Sequence, residues 1–212
     1  MTTLHLPRLI GLYGKMHSGK DTLGNYLVQT HGYTRIAFAD ALKEVCKLIT
    51  GFTDDQLYGD KKEIEDDNTG IVPRELFQFI GTDIFRELFL VHFPKYADKC
   101  GKSVWVNIVK RQILANPLTK YVITDIRFQN ELSMCTDMGG CIVHVVRPDC
   151  KNSIPVNHET PSISTLIHLS ETEHDTFIPN ITVVNNGTMD NLYKQFMLNM
   201  TTKINQTNSI CV

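Results

Sequence analysis

Short, continuously apolar runs alternate along the chain with longer stretches in which apolar residues return every three or four positions. The first run, LIGLYG (9–14), predicts a buried strand entering a glycine turn. Residues 19–30 follow with Leu23, Tyr26, Leu27 and Val28 at helical spacing, and Gly32 marks a helix stop. TRIAFAD (34–40) predicts a second strand and ALKEVCKLIT (41–50) a helix closed by Gly51. The acidic, glycine-bounded stretch 53–70 predicts an exposed excursion over a binding site. Pro73 opens a helix whose Leu76, Phe77, Ile80, Ile84, Phe85 and Leu88 predict a core-facing stripe. Beyond it, 103–116 reads as a helix ended before Pro117, KYVITD (120–125) as a strand, FQNELSMCTDMGG as a helix and CIVHVVRP as a strand. Residues 148–180 have little apolar periodicity and predict a lid, before ITVVNNG gives a last strand and TMDNLYKQFMLNM a last helix. Five apolar strands separated by helices predict an α/β fold: a five-stranded parallel sheet covered on both faces. No internal repeat interrupts this alternation.

The length of 212 residues suits a single domain, 1–212, carrying an inserted lid. With 42% hydrophobic and 21% charged residues, the composition is that of an ordinary globular protein. A formal charge of −2 supplies no long-range attraction to a nucleic-acid polymer or an anionic membrane. Six scattered cysteines without a C-x-x-C pair, and no run of about 18 apolar residues, lead to the expectation of a soluble, cytoplasmic protein with reduced thiols.

The chemistry concentrates in GLYGKMHSGKDT (11–22), where Gly14 and Gly19 bracket four residues and Lys20 follows. This G-x-x-x-x-G-K spacing between a strand and a helix is the pattern of a phosphate-binding loop. A polyphosphate needs several backbone N–H donors converging on it, which the loop Gly14, Lys15, His17, Ser18, Gly19 provides together with the positive end of the next helix. Lys20 would neutralise the β- and γ-phosphates. The alternative is a glycine turn with a solvated lysine. Asp21 stands where such loops usually carry a hydroxyl that helps hold Mg²⁺. Two unit charges about 4 Å apart interact by roughly 4 kcal/mol at an effective dielectric of about 20, so a carboxylate there calls for a cation. Asp21 then faces Mg²⁺, or it complements the helix dipole while Thr22 supplies the hydroxyl.

GKMHSGKDT, FADALKE, FQFIGTDIFR, TDIRFQNE, VHVVRP, HLSETEHD and VVNNGTMDNL together resemble, in order, the motifs of the deoxynucleoside monophosphate kinases of phages and large DNA viruses, from about residue 9 to 193. The resemblance implies a P-loop kinase that uses ATP and Mg²⁺ to convert a deoxynucleoside 5′-monophosphate (dNMP) into its diphosphate. Animal phosphomevalonate kinases share a similar G-K-x-x-S-G-K-D loop and form the alternative; a non-catalytic nucleotide-binding module is the third reading.

A monophosphate acceptor is largely ionised near neutral pH, its second pKa being about 6, so the site needs positive charge more than a general base. Lys43, Arg74, Arg86 and Arg127 are the candidates, with Lys20 and Arg127 expected to be catalytic. Arg127 follows the third predicted strand, at the sheet edge where open α/β folds bind ligands. For Lys43 and Arg74 the competing reading is a solvated helix face. Asp125 either supports Mg²⁺ through water or pairs with Arg127, and Glu131 reads as a helix-surface residue or an arginine partner near the substrate. Asp40 and Asp83 are candidates for sugar or base contacts or local caps, and Trp105 for stacking on a base or packing in the core. The lid candidates are Arg147, His168, Ser170 and Glu171; no arginine lies in 148–180, so Arg147 is the substitute for the usual lid arginine. Asn185, Asn186 and Gly187 resemble the family's adenine-side loop, or form a plain turn. The implied partners are ATP and a dNMP; a homodimer is compatible with the resemblance but no sequence feature shows it.

Overall fold

The computed structural model of the chain describes residues 5–101, 103–148 and 176–210, the side chains of 207–210 excepted. It divides into two compact units, residues 1–36 with 118–212 and residues 37–117.

The first unit holds β1 (Leu9–Tyr13), α1 (Lys20–His31), β2 (Thr34–Ile36), β3 (Tyr121–Ile123), α8 (Gln129–Asp137), β4 (Cys141–Val146), β5 (Ile181–Val184) and α9 (Met189–Ile210). Helices α2 to α7 belong to the second unit. The strands form one sheet in the order β2-β3-β1-β4-β5, with every pairing parallel. β1 is central, pairing Leu9 with Tyr121 of β3 and Tyr13 with His144 of β4. Covered on both faces, it is buried along its whole length, which is why it reads as an unbroken apolar run. Side chains alternate across a strand. Ile10 and Leu12 accordingly join one core with Leu23 and Leu27 of α1 and Leu192, Phe196 and Met200 of α9. Gly11, between them, faces Cys135 of α8 on the other side. Tyr26 and Tyr193 stack at 4.1 Å, tying α1 to α9. Strand β2 lies at the edge, with only Ile36 buried.

The second unit is helical: α2 (Phe38–Thr50), α3 (Asp54–Tyr58), a 3₁₀ turn (Asp60–Glu63), α4 (Pro73–Gln78), a π-helical run (Phe79–Leu88), α5 (Phe89–His92), α6 (Pro94–Cys100) and α7 (Val104–Ala115). Its core gathers Cys46, Phe52, Leu57, Ile80 and Trp105.

Three local expectations are corrected. The second strand ends at Ile36, not Asp40, because the Asp40 carboxylate accepts the Ala37 N–H at 2.9 Å and starts α2 at Phe38. The intervening 53–70 stretch is largely exposed, with Leu57 buried and Thr53 and Gln56 forming a reciprocal cap on α3. The helix opened by Pro73 passes into π geometry, whose wider turns break the three-to-four spacing, and Leu88 is 48% exposed. The last helix also runs past Met200 to Ile210, beyond the predicted segment.

Candidate active site

In the first unit, the connections leaving the carboxyl ends of β1, β3, β4 and β5 carry most of the candidates, at one edge of one sheet. Gly14–Thr22 follows β1, Asp125 and Arg127 follow β3, Arg147 follows β4, and Asn185–Gly187 follow β5. Parallel strands bring these turns together, and this is the edge where such sheets bind ligands.

The loop after β1 has left-handed backbone at Gly14 (φ 148°), His17 (φ 60°) and Gly19 (φ 102°). A Cβ on Gly14 would overlap the Val145 carbonyl oxygen, and one on Gly19 would overlap the side-chain amide of Asn185. Gly14 requires glycine for space as well as conformation, and Gly19 for conformation, with the Asn185 amide against it. The turn is closed by the Ser18 N–H donating to the Lys15 carbonyl at 3.1 Å. Lys15, Met16, His17 and Asp21 are exposed, while Ser18 is buried at 1% exposure. The Ser18 Oγ has no hydrogen-bond partner among the described residues. Lys20 begins α1, its ammonium 3.4 Å from the Lys15 carbonyl oxygen.

A glycine-cornered loop at a helix start, with a buried hydroxyl that has no partner among the described residues and a lysine next in sequence but one, fits a phosphate group. Asp21 and Thr22 lie in the first turn of α1, and Asp125 is half-buried just past β3. Among the described residues no group of three or more metal-ligating side chains occurs. One or two carboxylates fit a Mg²⁺ whose remaining ligands are phosphate oxygens and waters.

The turn after β3 is rigidly made. Glu131, only 2% exposed, accepts the N–H groups of Arg127 at 2.8 Å and Phe128 at 3.2 Å through one carboxylate oxygen. The helix-surface reading of Glu131 is thus corrected: it is buried and caps α8, shaping the Arg127 turn. The signal was available: an acid at the third position of a helix opening. Arg127 itself is exposed.

The remaining candidates lie in the second unit. Lys43 sits over the Tyr58 ring at 4.1 Å, and Arg74 pairs with Glu63. Asp40 caps α2 through Ala37, Asp83 is exposed and Arg86 half-buried, both on the π-helical run. Trp105 is a core residue: at 3% exposure its indole N–H donates to the Gly81 carbonyl at 2.9 Å and its ring meets Phe85 edge-on. It offers no free face to a base, which corrects the stacking expectation. His168, Ser170, Glu171 and most of the expected lid lie outside the described residues.

A glycine-cornered loop between a buried strand and a helix, at the carboxyl edge of a parallel sheet, makes this a P-loop protein of the α/β class. The sequence model of the deoxynucleotide monophosphate kinases matches residues 56–196, and the chain belongs to that family. A protein of Acanthamoeba polyphaga mimivirus provisionally named deoxynucleotide monophosphate kinase is 32% identical over 202 residues, covering 89% of this chain and 94% of its own length. The deoxynucleoside-5′-monophosphate kinase of Escherichia phage T5 is 30% identical over 112 residues, half of this chain and 40% of the phage protein. Among solved structures, TT1252 from Thermus thermophilus is 14% identical with a TM-score of 0.44, over 92% of this chain and 96% of that one. Among the described residues no helix is long and apolar enough to cross a membrane.

Proposed function

We propose that the chain transfers the γ-phosphoryl group of ATP to a deoxynucleoside 5′-monophosphate, giving the diphosphate for DNA precursor supply. The observation that carries this reading is the loop 14–20, with its positive-φ glycines, unpartnered Ser18 hydroxyl and Lys20, in a chain of this family. The family match at 56–196 lies wholly downstream of the loop and is therefore independent of it. That favours a nucleotide acceptor over an isoprenoid phosphate, a reading that rested on the loop motif alone.

Transfer between two polyanions is limited by repulsion and by alignment, so positioning and positive charge carry the catalysis. Lys20 and the loop N–H groups hold the donor phosphates, and Arg127 clamps the acceptor phosphate, its planar guanidinium suited to bidentate contact. Asp21 and Asp125 would hold Mg²⁺, which when bound neutralises phosphate charge. Asn186 and Gly187 flank the adenine, and Arg147 takes the part of a lid cation. Lys43, Arg74 and Arg86 are assigned to acceptor binding on the motif resemblance.

The test is ADP formation from Mg²⁺-ATP with dGMP, dTMP, dCMP, dAMP, GMP and phosphomevalonate, with Lys20→Ala and Arg127→Ala as controls. Turnover on at least one deoxynucleotide is expected, with kcat lowered about 10²-fold or more in each control. Turnover on phosphomevalonate alone, or tight ATP binding with no turnover on any acceptor, would overturn the reading.

A further inference from the structure

We infer that Asn185 is a positioning residue for the donor phosphates, acting through the orientation of one peptide unit in the loop. This rests on the donor-site reading above. The Asn185 side-chain amide donates to the Ser18 carbonyl oxygen at 2.9 Å, across 167 positions of sequence. Its own backbone N–H donates to the Val146 carbonyl at 2.7 Å, continuing the β4–β5 ladder, so the amide is held from the rigid sheet. The same amide fills the space that a Cβ on Gly19 would enter. The Ser18–Gly19 bond is thereby gripped at both of its residues.

A trans peptide is planar, and its C=O and N–H point in opposite directions. Holding the Ser18 carbonyl toward the β5–α9 connection therefore aims the Gly19 N–H away from it, and no acceptor for that N–H occurs among the described residues. The loop donates to an anion through such N–H groups. Without the Asn185 bond the Ser18 carbonyl is free to turn, which would place an oxygen dipole where a donor is needed. Asn185 thus pre-orders a donor without touching the nucleotide, while Gly19, at a φ of 102°, leaves its amide room to do so.

The experiment compares wild type, Asn185→Ala and Asn185→Asp by direct titration of ATP, by KM for the acceptor, by thermal midpoint, and by the amide NMR signal of Gly19 with and without nucleotide. Asn185→Asp keeps the shape but sets oxygen against oxygen. The expected result is an ATP Kd raised about tenfold in Asn185→Ala and more in Asn185→Asp. Acceptor KM should change less than twofold, and the Gly19 signal should lose its nucleotide-induced downfield shift. Unchanged ATP affinity in both variants overturns the inference. So does a parallel fall of ATP affinity, acceptor affinity and thermal midpoint, which marks a merely structural contact. Wild type that fails to bind ATP overturns the donor-site reading itself, and is thus distinguishable from failure of the Asn185 assignment alone.

Discussion

A buried carboxylate usually needs a cation, yet Glu131 is satisfied in part by two backbone N–H groups, those of Arg127 and Phe128. Charge-assisted bonds of this kind are roughly twice as strong as neutral ones, and removing the acceptor leaves two part-buried donors without it. Glu131→Ala should therefore cost about 1–3 kcal/mol of stability, measured by urea unfolding. Because the same bonds fix the turn that presents Arg127, activity should fall beyond what lost stability explains. The losses in kcat/KM for Glu131→Ala and Arg127→Ala should be non-additive in the double variant. Full additivity would mean that Glu131 only caps its helix.

At the level of elements, Gly24 sits in the interior of α1, where glycine costs about 1 kcal/mol relative to alanine. Propensity alone would predict that Gly24→Ala stabilises. The helix lies so close to the end of β3 that a Cβ at Gly24 would come 2.6 Å from Thr124 Cγ2, with Leu12 next at 3.8 Å. Gly24→Ala should thus destabilise, and in a Thr124→Ser background, which removes that methyl, the same change should stabilise by up to about 1 kcal/mol. A stabilising effect in the wild-type background would show that α1 can lift from the sheet at no cost. This contact also marks the limit of sequence reading. The strands, the loop and most helices were legible because their signals are local: an apolar run, a glycine spacing, a period near 3.6. The strand order β2-β3-β1-β4-β5 was not, since nothing local states which strands pair. The same holds for residues with two local meanings. TRIAFAD carries strand residues, and only the Asp40 cap on Ala37 moves the helix start forward to Phe38. Trp105 was open between base and core until Gly81, twenty-four residues earlier, supplied its hydrogen-bond acceptor.

Over the whole molecule, each compact unit seals thiols into its core. Cys46 is buried in the helical unit, and Cys135 and Cys141 in the sheet unit, all three free. Burial penalises the thiolate and pushes Cys46 up to about 11, Cys135 to about 12 and Cys141 to about 11. The Tyr33 phenol, donating to the Pro7 carbonyl, is pushed up for the same reason. Below an unfolded-chain value of about 9, the thiols keep their protons in both states and their contribution is fully present and independent of pH. Between there and the folded values the unfolded chain releases protons that the folded one retains, so stability falls as pH rises. The slope is about 1.4 kcal/mol per pH unit for each fully titrating thiol. The urea midpoint should therefore stay level with respect to these groups to about pH 8.5 and drop steeply above about 9. In Cys135→Ala and Cys141→Ala the alkaline slope should be shallower than in wild type, even where the midpoint at neutral pH is lower. Slopes equal to that of wild type in both variants would assign the alkaline loss to other groups, Tyr33 among them. A shallower slope in the two variants ties the loss to the sheet unit, in which both thiols are buried.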